Sequence, residues 1–114
     1  MLSEPLLEKP NPAIFAYSML LVAIVFEVAG TVCMRFVKDS EVWRIPSYVC
    51  YAVAFSLFPW IINGIPLAMA YATWSGVGSV CIGAISTYFF EENMSLPKIC
   101  GILFIILGIF LIHL

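Results

Sequence analysis

Charged side chains are scarce in this sequence. Only 11% of its 114 residues are Asp, Glu, Lys or Arg, whereas 63% are hydrophobic and the mean hydropathy is +1.07. A water-soluble domain has too little polar surface to cover so much apolar material. The composition therefore predicts an integral membrane protein.

The sequence also lacks an excess of basic residues and closely paired cysteines, and it contains a single histidine. The net charge of -2 provides no basic stripe, so nucleic acid is not expected as a partner. The single histidine, His113, stands at the C-terminal end, and Cys33, Cys50, Cys81 and Cys100 are scattered one per apolar run. This pattern predicts no metal site, no cofactor and no disulfide framework. A membrane enzyme is disfavoured because no nucleophile and base pair is evident.

Four long apolar runs make up most of the chain. A helix needs roughly 20 apolar residues to cross a bilayer core, so 114 residues have room for about four spans. The predicted spans are residues 13–34, 46–62, 67–90 and 96–114, which follow an N-terminal extension, residues 1–12. The runs are too long and too continuous for barrel strands. The predicted fold class is an all-α membrane protein of four transmembrane helices.

Proline, glycine and serine mark the boundaries between the runs. Pro59 lies within the second run and is expected to kink it. The segment from Asn63 to Pro66 has the composition of a tight turn, which makes the second and third helices antiparallel neighbours. Ser95 is predicted to be the N-cap of the fourth helix, with Pro97 in its first turn.

Glu27 is the only charged residue inside the first run. A carboxylate at such a place costs about 2.5 to 3.5 kcal/mol on insertion scales, so we expect it to serve function. Arg35 follows about 12 Å further along the helix axis, too far for a direct ion pair. Ala23, Gly30 and Thr31 share the face of Glu27 and form a stripe of small residues that could admit a ligand or a partner helix.

Aromatic pairs provide a second signal. Tyr51 and Phe55 share one face of the second helix, and Tyr71 and Trp74 share one face of the third. Ring faces around a carboxylate would bind a bulky organic cation without demanding directional hydrogen bonds. The alternative is that these rings fill the bundle core or lie at the membrane interface.

Glycines give two further predictions. Gly76 and Gly78, in the third helix, are interpreted as a hinge or a close helix contact. In the fourth helix, Gly101 and Gly108 flank Ile105 on one face, which predicts a protein interface.

Taken together, these motifs resemble those of the small multidrug resistance transporters. The resemblance extends from about Ala13 onward and rests on three segments, namely Phe26 to Thr31, Pro66 with Ala70 to Gly78, and Leu96-Pro97 followed by Gly101 and Gly108. Gly30 resembles the multidrug branch, whereas the guanidinium-exporting branch typically has Trp there. Arg35, Ala54 and Pro59 depart from the family's more common residues.

The resemblance implies an antiparallel homodimer in the plasma (inner) membrane. Glu27 of both subunits would bind either protons or a small organic cation, and the other site residues would be Tyr51, Phe55, Tyr71 and Trp74, with the fourth helix at the dimer interface. Two chains would supply the inverted repeats that transporters commonly need. The expected activity is proton-coupled export of lipophilic or quaternary ammonium cations. Alternatives are transport of choline, betaine or polyamines, a subunit of a heterodimeric pair, and a non-transporting partner subunit.

Basic residues are distributed unevenly between the two predicted membrane sides. Arg35, Lys38, Arg44 and Lys98 belong to one side, and only Lys9 belongs to the other. Positive residues in short loops favour the cytoplasm, so this count predicts both termini outside. An antiparallel homodimer needs nearly balanced insertion instead. The homodimer is preferred because the Glu27 and aromatic constellation is complete in this chain.

Overall fold

The computed structural model describes residues 12–114 and forms four α-helices in that part of the chain. These are α1 (Pro12–Phe36), α2 (Arg44–Ile61), α3 (Leu67–Phe89) and α4 (Leu96–Ile112), and a short 3₁₀ turn, Glu41–Trp43, precedes α2. No strand occurs among the described residues. The all-α prediction is confirmed. The predicted N-terminal extension, with Lys9, lies outside the described residues.

Length and hydropathy qualify α1 and α3 as membrane spans by themselves. The other two helices are shorter, with 18 residues in α2 and 17 in α4. A helix of 17 residues is about 25 Å long, slightly less than a bilayer core of about 30 Å. Hydropathy therefore identifies two spans directly, and the other two are assigned through the relatives described below.

The helix ends follow the sequence signals with one correction. Pro59 lies in the last turn of α2, which ends at Ile61, and the turn that follows is anchored by the buried side chain of Ile65. Ser95 occupies the N-cap position of α4, but its side chain makes no capping hydrogen bond. The capping prediction for Ser95 is wrong in this respect, and its backbone carbonyl accepts the first helical bond from Ile99 instead.

The core lies between α1, α2 and α3. Its buried members in the described part of the chain are mostly small or aliphatic, and the one aromatic among them is Trp74. α4 contributes no buried residue and packs chiefly along α3. The chain measures 51 × 35 × 17 Å, so its thinnest dimension is less than two helix diameters of about 10 Å.

Candidate functional site

Glu27 lies near the middle of α1, where its carboxylate rests against Gly78 of α3. A Cβ atom placed on Gly78 would be 2.9 Å from Glu27 Cδ, so only glycine fits without displacing the carboxylate. Glu27 Oε2 is buried and has no hydrogen-bond partner within residues 12–114. A buried oxygen without a partner is costly, and this one lies at the inner end of a cavity.

The cavity that begins at Glu27 has a volume of about 590 Å³ and is called the inner cavity below. It extends along α1, α3 and α4 to the end of the bundle that carries the first and third connections. Its polar lining comprises Glu27, Thr31, Ser79, Ser86, Thr87, Glu92, Asn93 and Lys98. The structure therefore connects the interior carboxylate with one end of the bundle through a row of hydroxyl groups.

Most of this polar lining was missed in the sequence. Ser79, Ser86 and Thr87 recur at helical spacing on one face of α3, and this periodicity was the available signal. Two of these hydroxyls bond to carbonyls of their own helix, since Ser79 Oγ donates to Ser75 O at 2.8 Å and Thr87 Oγ1 donates to Gly83 O at 2.9 Å. Such internal bonds make a serine look inert in a sequence, although its oxygen still faces the cavity.

Thr31 connects α1 with α2 one turn beyond Glu27. Its hydroxyl donates to the Glu27 carbonyl at 2.9 Å and is also hydrogen-bonded to the Tyr51 hydroxyl. Since the Thr31 proton is used in the first bond, Tyr51 is the donor in the second. Thr31 also lines the inner cavity. The Tyr51 hydroxyl thus forms a hydrogen bond that links α2 to α1.

The aromatic cluster is formed by Trp74 with Phe55, Phe58 and Tyr71. The ring centroid of Trp74 lies 5.1 Å from that of Phe55, 5.3 Å from Phe58 and 5.5 Å from Tyr71, all with edge-to-face geometry. Phe58 was not singled out in the sequence, although it follows Phe55 by one helical turn. In the described part of the chain, Tyr51 makes no ring contact with the cluster.

One side of the aromatic cluster is uncovered. Trp74 is only 5% exposed, whereas Phe55 and Tyr71 are 54% and 53% exposed. The Trp74 indole Nε1 is buried and has no hydrogen-bond partner within residues 12–114. Trp74 precedes Gly78 by one turn of α3, so the cluster lies on the opposite side of Glu27 from the inner cavity.

Two of the small residues near Glu27 serve helix packing. Ala23 is fully buried in the core. Gly30 contacts α2, because a Cβ there would lie 3.2 Å from Cys50 Cβ and from the Ser47 carbonyl oxygen, and Ser47 Oγ donates to the Gly30 carbonyl at 3.0 Å. Of the three small residues predicted to share the face of Glu27, Gly30 thus allows the close approach of α2. Thr31 is the one that lines the inner cavity.

The remaining predicted glycine positions divide into two groups. Gly76 lies against Ile109 and Ile105 of α4, at 2.7 and 3.2 Å from the position of a Cβ, so it makes a helix contact within the chain. Gly101 and Gly108 have nothing within 4 Å of a Cβ position, and Gly101 lines the inner cavity whereas Gly108 faces open space. Of the three predicted interface residues, Ile105 therefore packs on α3, and the two glycines remain unpartnered in a single chain.

The fold consists of four apolar helices, and the side chain of Glu27 lies between two of them without a hydrogen-bond partner for Oε2 in the described residues. These features define a small helical membrane protein. The chain belongs to the Small Multidrug Resistance family, whose model matches residues 15–105. This membership confirms the family that the sequence motifs indicated. The relatives named below are integral membrane transporters, and the chain is an integral membrane protein like them.

Several relatives align over most of the chain. The multidrug transporter EmrE of Escherichia coli (strain K12) is 38% identical over 94 residues, which cover 81% of this chain and 86% of that protein. The multidrug resistance protein EbrA of Bacillus atrophaeus is 34% identical over 100 residues, covering 85% of this chain and 94% of its own length. The nicotine metabolites export pump subunit NepB of Paenarthrobacter nicotinovorans is 35% identical over 97 residues, covering 81% of this chain and 57% of its own.

Proposed function

We propose that this protein exports lipophilic or quaternary ammonium cations in exchange for protons, with Glu27 as the shared binding group. The observation that carries the proposal is the half-buried Glu27 carboxylate, whose Oε2 has no hydrogen-bond partner within residues 12–114 and which lies between a polar cavity and an aromatic cluster. A carboxylate without a protein partner can bind either a proton or an organic cation. Binding of one then displaces the other, which couples the two fluxes.

The aromatic cluster supports a bulky cation as the substrate. Its rings offer faces that attract positive charge, and the exposed Phe55 and Tyr71 rings make the cluster accessible from one side. Small zwitterions such as betaine would gain less from these rings. The names of EmrE and EbrA, a multidrug transporter and a multidrug resistance protein, agree with a broad range of cations. Choline and polyamines are the alternative substrates.

An antiparallel homodimer in the inner membrane is part of the proposal. The open surroundings of Gly108 support a second chain beside α4. The flat shape and the uncovered aromatic cluster on α2 and α3 support a second chain that covers the cluster. Two copies of opposite orientation would supply the inverted repeats that alternating access requires. Tyr51, Phe55, Tyr71 and Trp74 are proposed to surround the substrate in that assembly, where Tyr51 would contribute its ring while its hydroxyl joins α1 to α2 through Thr31.

A heterodimer is the second candidate. It is favoured by the positions of Arg35, Lys38, Arg44 and Lys98, which all fall at the same end of the bundle and bias insertion towards one orientation. NepB is named as a subunit of an export pump. In that case, an oppositely oriented partner chain would complete the transporter.

Substitution of Glu27 tests the proposed exchange. Purified protein is reconstituted into vesicles with an imposed pH gradient, and uptake of tetraphenylphosphonium is measured. Glu27→Gln should abolish gradient-driven uptake and substrate-induced proton release, whereas Asp39→Asn, which removes a carboxylate from the first connection, should retain both. Substrate-induced proton release that persists in Glu27→Gln would contradict the proposal.

A further inference from the structure

A second cavity lies beside the inner cavity at the end of the bundle that carries the first and third connections. It has a volume of about 260 Å³, is formed by α1, α3 and the start of the third connection, and is called the outer cavity. Thr31, Ser86 and Glu92 line both cavities. The two spaces are therefore adjacent along a shared polar edge that leads towards Glu27.

One cationic side chain of the protein, that of Arg35, lines the outer cavity and lies over an aromatic ring. The Arg35 guanidinium carbon lies 5.0 Å from the centroid of Phe90, within the range of a cation–π interaction. Phe90 is held in place by an edge contact with Phe36 at 5.7 Å, and Phe36 in turn packs against Trp43 at 5.2 Å. The ring of Phe90 thus presents a fixed face on which a positive group can bind.

Glu92 adds negative charge to the same cavity. The chain turns sharply at Glu91, which has φ 56°, and the Glu92 backbone N–H then donates to the Ser86 carbonyl at 3.1 Å. Within residues 12–114, the one ion pair joins Arg44 to Glu41, so Glu92 makes no salt bridge with Arg35, which lines the same cavity, or with Lys98.

The two neighbouring basic side chains have contacts other than Glu92. Lys98 Nζ donates to the Asn93 carbonyl at 3.1 Å, and Arg35 lies over Phe90. An unpaired carboxylate beside an aromatic face and an aliphatic wall is the chemistry that recognises an organic cation. The Arg35 guanidinium then occupies the place that such a cation would take.

We propose that the outer cavity is a second binding site for organic cations, in which the ligand replaces the Arg35 guanidinium on Phe90 and Glu92 supplies the opposite charge. The site rests on the proposed function for its ligand class but does not use Glu27. A cation bound there lies at the entrance of the inner cavity. It would therefore be concentrated next to the exchange site before it reaches Glu27.

Binding of tetraphenylphosphonium to full-length Glu27→Gln protein tests the outer cavity separately from the exchange site. Weak binding should remain in this variant and should fall about tenfold when Glu92→Gln is added, because removal of a direct counter-charge costs roughly one factor of ten. Adding Glu91→Gln instead is the matched control and should leave the affinity unchanged. Adding Phe90→Leu should weaken binding about twofold to fivefold, as loss of an exposed cation–π contact predicts.

Arg35 provides a prediction of opposite sign. Arg35→Ala vacates the ring of Phe90 and should strengthen tetraphenylphosphonium binding in the Glu27→Gln background more than Lys38→Ala, which removes the same charge from the first connection. Equal affinities in Glu27→Gln with and without Glu92→Gln would overturn the outer site. So would an Arg35→Ala variant that binds the cation unchanged but co-purifies with less anionic lipid than the Glu27→Gln parent, since Arg35 would then hold a lipid phosphate. Absence of gradient-driven transport in wild type, with Glu92-dependent binding retained, would refute the exchange function alone.

Discussion

Gly78 of α3 and Glu27 of α1 are in direct contact, and the absence of a side chain at Gly78 makes that contact possible. A Cβ at residue 78 would lie 2.9 Å from both Glu27 Cδ and Oε1. Contact with α3 therefore limits where the carboxylate can lie, although Glu27 Oε2 has no hydrogen-bond partner among the described residues. Any movement of α3 along α1 would change the surroundings of Glu27.

Gly78→Ala should displace the Glu27 carboxylate and weaken substrate binding. Because the carboxylate is the flexible end of a side chain, the cost should lie near the lower end of the overpacking range of about 1 to 3 kcal/mol, and a cost of about 1 kcal/mol on the bound state lowers affinity roughly fivefold. Gly83→Ala is the matched variant, because its Cβ would meet only the flexible end of Ile102 at 3.2 Å. Titration calorimetry with tetraphenylphosphonium compares the two variants. Equal affinities would show that Glu27 does not depend on Gly78.

Tyr51→Phe should loosen the packing of α1 on α2 while it preserves the ring. Loss of the bond to Thr31 is expected to cost about 0.6 kcal/mol, the average for hydrogen bonds between membrane helices. Unfolding in mixed detergent measures this cost, and substrate affinity should change by less than about twofold, since a cation–π contact needs the ring and not the hydroxyl. A large loss of affinity with unchanged stability would mean that the hydroxyl binds the substrate directly.

The sequence predicts those features of the fold and the site that depend on residues close together in the chain. Helix boundaries depend on local residues such as Pro66 and Pro97, and they could be predicted. The approach of Glu27 to Gly78 depends on the register between helices far apart in the chain, which a single sequence does not contain. The same holds for Tyr51, whose spacing from Phe55 predicted a shared aromatic face but whose hydroxyl bonds to Thr31 instead.

The polar lining of the inner cavity was missed for a different reason. In an apolar helix, a serine that bonds to its own backbone is usually of no functional consequence, and nothing local distinguishes Ser79 from such a residue. Its role depends on the cavity between α3 and α4. Phe58 is a similar case, because only the position of Trp74 on another helix makes it part of the aromatic cluster.

Gly108→Leu should weaken self-association without unfolding the chain. Nothing lies within 4 Å of a Cβ at this position, so the single chain tolerates the larger residue, whereas a close helix interface would not. Ile106→Phe adds volume on the opposite face of α4 and serves as the control. Energy transfer between labelled copies in lipid vesicles measures association. Unchanged transfer in Gly108→Leu would exclude this face of α4 from the dimer.

Labelling of the two ends of the bundle distinguishes the homodimer from the heterodimer. Ser40→Cys lies at the end that carries the first connection, and Asn63→Cys lies in the turn between α2 and α3 at the other. On a cysteine-free background in intact cells, an impermeant thiol reagent should label both sites in comparable fractions if the chain inserts in both orientations. Labelling confined to Asn63→Cys would leave the antiparallel homodimer without support and would indicate a partner chain.

The peripheral position of α4 has a genetic consequence for the proposed dimer. Because α4 buries no residue of its own, we expect damage to it to spare the folding of the first three helices and to prevent the proposed dimer from forming. A Glu27 allele with intact α4 would enter dimers with normal copies and depress their activity, so it would be dominant. Adding an α4 lesion to the same allele would make it recessive. A co-expression experiment scored by cell growth on a toxic cation would therefore reveal whether two copies share one function.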